Sequence, residues 1–259
     1  MSALFDLELR ARRRDRAARH GPALFLFDRA FGDCLERITL VQRRFNRALI
    51  LGCPNPDWPG QLARLVDQVD ATDPGALFAR GALGTQFLET EWKPAPGTYD
   101  LILSIGMLDI VEGLPLFLRN LRDALRPDGL LLGALSGGET LPQLRTALRG
   151  IDGKAASPHV HPRIEASALA PLLSSAGFVM PVVDIDRAQV SYRGLPSLVT
   201  DLRRMGATNI LIRRARQGFS RAEYATAATR FAAAANAGRT VETFEILHFA
   251  GWTPEQKDG

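Results

Sequence analysis

Through the first 45 positions, apolar residues recur at helical spacing: Leu4, Phe5, Leu7 and Leu9, then Leu24, Phe25, Phe27, Phe31, Leu35, Ile38, Leu40, Val41 and Phe45. This rhythm predicts two helices broken near His20-Gly21-Pro22, forming a helical cap over residues 1–46. From residue 47 short apolar runs alternate with amphipathic segments, which predicts a βαβ succession and a mostly parallel sheet. Strand 1 is expected at 47–52, a helix at about 58–66, strand 2 at 66–70, a helix after Asp73-Pro74 and a short strand 3 near 85–88. Strand 4 is expected at 99–104, a helix at about 113–125 and strand 5 at 129–135, the last two joined by the turn Arg126-Pro-Asp-Gly129, where Pro presets φ and Gly supplies a positive one. Beyond these the pattern predicts a helix at 139–149, a long loop at 150–162, a helix at 165–176, an extended stretch at 178–190 and helices at 195–205 and 220–237. Thr243–Phe249 alternates like a strand of an antiparallel pair, so the fold class is α/β with an antiparallel edge. The domain reading is a cap at 1–46 and a main domain at 47–259, with lid elements at about 137–163 and 191–237.

Composition narrows the class. At 259 residues, 46% apolar and 23% charged, the chain suits one large globular domain, and no run approaches the roughly 18 apolar residues of a membrane span. The net charge of +4 rests on Arg in an Ala-rich chain and adds little to a nucleic-acid reading. The run Arg10-Ala-Arg-Arg-Arg-Asp-Arg-Ala-Ala-Arg19 reads as a solvated helix face, with an acidic partner, a peripheral membrane contact or an organellar targeting peptide as alternatives. Cys34 and Cys53 are the two cysteines, which excludes a disulfide framework and favours a reducing compartment. The N-terminus has no apolar signal core, so the expectation is the cytoplasm.

The chemistry is expected at the turn after strand 1. In an open α/β sheet that turn opens the ligand crevice, and Ala48-Leu-Ile-Leu-Gly52 is a buried parallel strand running into it. Two phrases then carry a family resemblance. Tyr99-Asp-Leu-Ile-Leu-Ser-Ile-Gly-Met-Leu-Asp-Ile-Val-Glu-Gly-Leu-Pro115 and Arg119-Asn-Leu-Arg-Asp-Ala-Leu-Arg-Pro-Asp-Gly-Leu-Leu-Leu132 resemble strand 4, the following helix and strand 5 of class I S-adenosylmethionine-dependent methyltransferases. Gly137-Gly-Glu-Thr-Leu-Pro-Gln-Leu-Arg145, Ser157-Pro-His159, Tyr192, Asp201-Leu-Arg-Arg-Met-Gly-Ala-Thr-Asn209 and Thr240-Val-Glu-Thr-Phe-Glu-Ile-Leu247 are similar to one subgroup. It contains the biotin-pathway malonyl-carrier-protein methyltransferases and the methyltransferase-type mitochondrial complex I assembly factors with their alphaproteobacterial relatives. Leu4-Phe-Asp6 and Arg13-Arg-Asp-Arg-Ala-Ala18 resemble the assembly-factor branch, so the likeness spans nearly the whole chain.

The resemblance implies a Rossmann-like seven-stranded sheet, S-adenosylmethionine as cofactor and a protein or carrier-bound substrate, with a role in respiratory complex assembly. For the assembly-factor branch it implies hydroxylation of a protein arginine. A non-catalytic assembly or chaperone protein with a degenerate cofactor loop is the rival reading. The family's glycine-rich loop falls on Gly52-Cys-Pro-Asn-Pro-Asp-Trp58, where one glycine survives, two prolines remove backbone donors and Trp58 adds bulk on the methionine side. Either the loop holds the cofactor in a shifted pose, with Cys53 beside it and Asn55 or Asp57 as polar contacts, or it is a structural turn on a member that has lost the cofactor.

Asp70 is expected at the end of strand 2 to accept the ribose hydroxyls, with Asp67 and Asp73 as misregister alternatives. Glu91 and Trp92 fall where the family meets the adenine, and Ser104, Ile105 and Met107 would floor the crevice. Asp109 is the nearest ionisable group for a base, and His159, Tyr192, Met205 and Asn209 resemble the substrate-side lid. His159 and His161 lack a third residue spaced to complete a metal site, so no metal is expected.

Overall fold

The computed structural model describes residues 3–151 and 159–255. Two helices, α1 (Leu7–Arg19) and α2 (Phe25–Leu40), precede a seven-stranded sheet of order β3-β2-β1-β4-β5-β7-β6. Its strands are β1 (Phe45–Leu51), β2 (Val66–Asp73), β3 (Thr85–Gln86), β4 (Tyr99–Ile105), β5 (Leu125–Ser136), β6 (Val179–Tyr192) and β7 (Thr240–Trp252). β7 runs antiparallel to both of its neighbours, β5 and β6, and β1 to β5 are mutually parallel. The chain reverses strand order between β1 and β4, which opens a crevice beyond the carboxyl ends of these strands.

Alternation along the central strands sorts two cores. Leu49, Leu51, Ile102, Leu131 and Phe249 face α5 (Leu114–Ala124) and α7 (Ala166–Ser175). Ala48, Ile50, Leu101, Leu103 and Leu132 face α2 and the short α3 (Trp58–Leu62). Successive side chains of a strand point to opposite faces, so a run apolar at every position is what a sheet covered on both sides requires. A third cluster lies where β6 ends and β7 begins, with α6 (Pro142–Leu148), α8 (Leu195–Arg204) and α9 (Arg221–Ala232) gathered around Tyr192 and Phe244. α4 (Ala76–Gly81) follows β2.

Several elements differ from expectation. α3 ends at Leu62, and Ala63 to Leu65 form a turn that leads straight into β2. β2 extends three residues past Asp70 because Thr72 and Asp73 pair with Thr85 and Gln86. α6 starts at Pro142, since Gly137 to Leu141 form a tight turn against β7. Ser157 and Pro158 of the Ser157-Pro-His159 motif, with residues 152–156 of the predicted loop at 150–162, lie outside the described residues.

Candidate functional site

The turn after β1 is built on Gly52, which sits at φ 85° with its N–H on Thr72 O at 2.9 Å. A side chain there would be strained, and its Cβ would meet Met107 Cγ at 2.4 Å and Ile105 O at 2.7 Å. Met107 is fully buried against this turn, and Cys53 and Ser104 are buried beside it. The remaining loop leans away from the crevice. Asn55 Nδ2 and Trp58 Nε1 both donate to Asp28 of α2, at 2.8 and 2.9 Å, and Asn55 Oδ1 accepts from Asp57 N at 3.0 Å. Trp58 stacks on Phe31 with ring centroids 4.4 Å apart and planes 5° from parallel, so its indole belongs to the core under α2. The expectation that Trp58 projects into the methionine side of the crevice is corrected on that geometry. Asp57 is exposed.

The acids of the crevice are Asp73, an alternative to Asp70 in the sequence pattern, and Glu89, two residues before the expected Glu91. Asp70 lies mid-strand opposite Leu49, half exposed and bonded to Arg47 Nε at 2.9 Å, so it is not the strand-end acid. That acid is Asp73. Its buried carboxylate accepts Arg14 Nε at 2.6 Å, a second bond from Arg14 Nη2, and Gly75 N at 2.8 Å. Glu91 is exposed, its N–H closing a turn onto Leu88 O, whereas the buried acid after β3 is Glu89. Glu89 forms an ion pair with Arg10 at 2.9 Å and accepts Glu112 N at 2.6 Å. Trp92 is half-buried against Phe87 and Phe117, with centroids at 5.9 and 5.5 Å. Arg10 and Arg14 are one helical turn apart on α1, and both are buried. The sequence did carry a signal for them: Leu7, Arg10, Arg14 and Ala17 fall on one helical face, two arginines in line with apolar positions.

Beside the crevice lies a cavity of about 120 Å³, open at its mouth and beyond the ends of β4 and β5. Phe27, Ile105, Leu135, Leu141, Met205 and Phe244 supply much of its wall, and Arg10, Arg14, Asp109, His161 and Arg163 supply charge and polarity. Ile105 and Met205 both line this cavity. Tyr192 does not line it; its ring sits in the third core, and burial raises its hydroxyl pKa well above the usual value. Asn209 braces the wall, donating to His159 O at 3.2 Å and accepting Leu211 N at 2.9 Å. His159 packs beside Phe219 with centroids 5.1 Å apart. His161 Nε2 accepts Ile210 N at 2.8 Å, and burial, helped by Arg163, Arg13 and Arg145, pushes the imidazole down to about 3. It is therefore neutral, with its proton assigned to Nδ1.

Asp109 is not a free base. Its side chain is buried with Arg163 donating to Oδ2, while among the described residues its Oδ1 and Arg163 Nε have no hydrogen-bond partner. Burial pushes the Asp109 carboxyl up, and the guanidinium beside it pulls the other way. Among the described residues no three His, Cys, Asp or Glu side chains are grouped to hold a metal. Burial drives both Cys34 and Cys53 thiols up to about 12, so neither is a nucleophile at neutral pH.

The turn Gly137-Gly138 closes the far side. A Cβ on Gly137 would meet Glu245 Oε1 at 2.4 Å, which is how Thr140 reaches β7 to donate to Glu245 O at 3.0 Å and accept Glu245 N at 3.1 Å.

A strand-order reversal, a glycine turn and two acids at the ends of β2 and β3 define a Rossmann-like methyltransferase site. The chain belongs to the methyltransferase domain family, which matches residues 16–183. It is also similar to the mitochondrial arginine-hydroxylase NDUFAF5 of Danio rerio, 32% identical over 85% of this chain and 72% of the relative. The same protein of Mus musculus is 30% identical over 96% and 77%. The malonyl-[acyl-carrier protein] O-methyltransferase of Xylella fastidiosa is 34% identical over 62% of this chain and 54% of that one. Among solved structures the YcgJ protein of Bacillus subtilis superposes with a TM-score of 0.59 at 11% identity, over 87% of this chain and 99% of that one, which bears on the fold alone.

The donor set suits a nucleoside in kind, since Asp73 and Glu89 are carboxylates able to accept hydroxyl and amine hydrogens. In the conformation described both are engaged by arginines, and Pro54 and Pro56 withhold two backbone donors from the loop.

Proposed function

We propose that this protein is an S-adenosylmethionine-dependent enzyme of the methyltransferase family acting on a protein or carrier-borne group that enters the cavity beyond β4 and β5. The observation that carries this reading is the placement of Asp73 directly after Thr72, whose carbonyl holds the Gly52 turn, with Glu89 reached by the neighbouring arginine of α1 and both arginines lining the open cavity. S-adenosylmethionine, when bound, supplies an activated methyl group. Asp73 would hold the ribose hydroxyls and Glu89 the adenine side, while Ile105 and Met205 would bound the substrate apolarly. Asp109 and Arg163 together would fix the cavity wall. The names of the relatives, an arginine-hydroxylase and a malonyl-[acyl-carrier protein] O-methyltransferase, support a protein or carrier-borne substrate. Two buried thiols with no bridge support a reducing compartment such as the cytoplasm.

A second reading, a non-catalytic assembly platform, is favoured by the two prolines of the loop and by the arginines on both carboxylates. Calorimetric titration with S-adenosylhomocysteine decides between them. Saturable binding is expected; no binding at millimolar ligand, by wild type or by an Asp15→Ala variant that loosens α1, would refute the cofactor-dependent reading.

A further inference from the structure

We propose that α1 is an internal gate whose Arg10 and Arg14 take the two cofactor-recognising carboxylates, so that the cofactor enters only when the helix lifts. The inference rests on the cofactor reading above and adds regulation to that site. Arg10 and Arg14 are four residues apart, on one face, and reach Glu89 and Asp73 together. Lifting α1 as a unit therefore uncovers both acids at once.

Three features make this contact exchangeable. Arg14 is a fork-to-fork partner of Asp73, and the two hydroxyls of a ribose offer the same carboxylate a neutral pair of donors. Buried ion pairs are near break-even in free energy, because desolvation offsets most of the attraction, so exchanging one set of donors for another costs little. Finally, Ala17 is the only buried apolar residue within α1, and the remaining apolar hold is confined to its first turn, where partly buried Leu7 and Leu9 pack with Phe5, Ile110, Ile210 and Leu211. Its anchors outside the crevice include Asp15 Oδ1, which accepts Leu77 N of α4 at 2.9 Å, and Arg13, which donates to Asn209 O. The backbone of Arg14 also lies against Gly75 and Gly206, where a Cβ would approach it at 3.3 Å.

A gate that is mostly closed lowers apparent affinity by the fraction open. Arg10→Gln/Arg14→Gln should bind S-adenosylhomocysteine about tenfold more tightly than wild type, and so should Asp15→Ala, which leaves both acids and both arginines in place. In wild type, adding S-adenosylhomocysteine should speed hydrogen exchange at the amides of residues 7–19, measured by mass spectrometry. If the double variant fails to fold, Asp15→Ala and the exchange experiment carry the test. Wild-type binding with variants no tighter, or with exchange in α1 unchanged or slowed, overturns the gate and leaves the cofactor reading standing. No binding by any of the three proteins removes the cofactor reading and the gate with it.

Discussion

The Asp109–Arg163 pair tests whether the one acid near the end of β4 is chemistry or architecture. Its side chains are 5% and 8% exposed, so both charges are out of water. At an effective dielectric of about 20 their attraction is roughly 4 kcal/mol or more, and the cost of desolvating them is of the same order. The pair as a unit is then near neutral for stability, while each charge left alone is expensive. Arg163→Met should cost about 3–5 kcal/mol and Asp109→Leu a similar amount, because each orphans a buried charge. The double variant Asp109→Leu/Arg163→Met should cost less than either single change, a coupling of about 3 kcal/mol or more. Urea unfolding of the four proteins at pH 7 measures this directly through the midpoints at constant slope. Single changes that each cost under about 1 kcal/mol and add in the double variant would refute the buried-pair argument, and would return Asp109 to the role of a solvated base.

Two further outcomes follow from side chains already placed. Trp58→Ala should destabilise by about 3–5 kcal/mol through loss of its stack on Phe31, without tightening cofactor binding, because the indole fills core and not crevice. A stable variant with raised affinity for S-adenosylhomocysteine would contradict this. His161 is held near pKa 3 when folded and near 6.5 when unfolded. Between those values the unfolded chain binds the extra proton, so stability is full above about pH 6.5 and is lost as pH falls towards 3, by roughly 2 kcal/mol at pH 5. His161→Gln can still accept Ile210 N but does not titrate, so its stability should fall less between pH 8 and pH 5; an identical fall would sink the assignment.

The parallel core was legible in the sequence because it is buried on both faces. Ala48 to Leu51, Leu101 to Ile105 and Leu130 to Leu132 are apolar runs too short for a helix and too continuous for a half-solvated strand, which leaves a strand covered on both sides. β2 was harder. Val66-Asp-Gln-Val-Asp-Ala-Thr-Asp73 has no apolar run, and its end is set by pairing to the two-residue β3, a tertiary fact that moved the acid from Asp70 to Asp73. The same shift, from Glu91 to Glu89, follows from a turn at Leu88–Trp92. Arg10 and Arg14 read as part of a solvated helix face and Arg163 carried no signal, because arginine is almost never fully buried without a partner, and a partner distant in sequence is invisible until the chain is folded.

The charge-held docking of α1 also has a thermal consequence. Heat-capacity change on release follows apolar exposure, and polar exposure opposes it, so a helix seated by Arg10 and Arg14 should come away with a small one. The penalty for burying charge falls as temperature rises, whereas hydrophobic stabilisation levels off. On warming, therefore, the balance of α1 should shift relative to that of the sheet core in favour of the seated helix, and the crevice it covers would be most accessible in the cold.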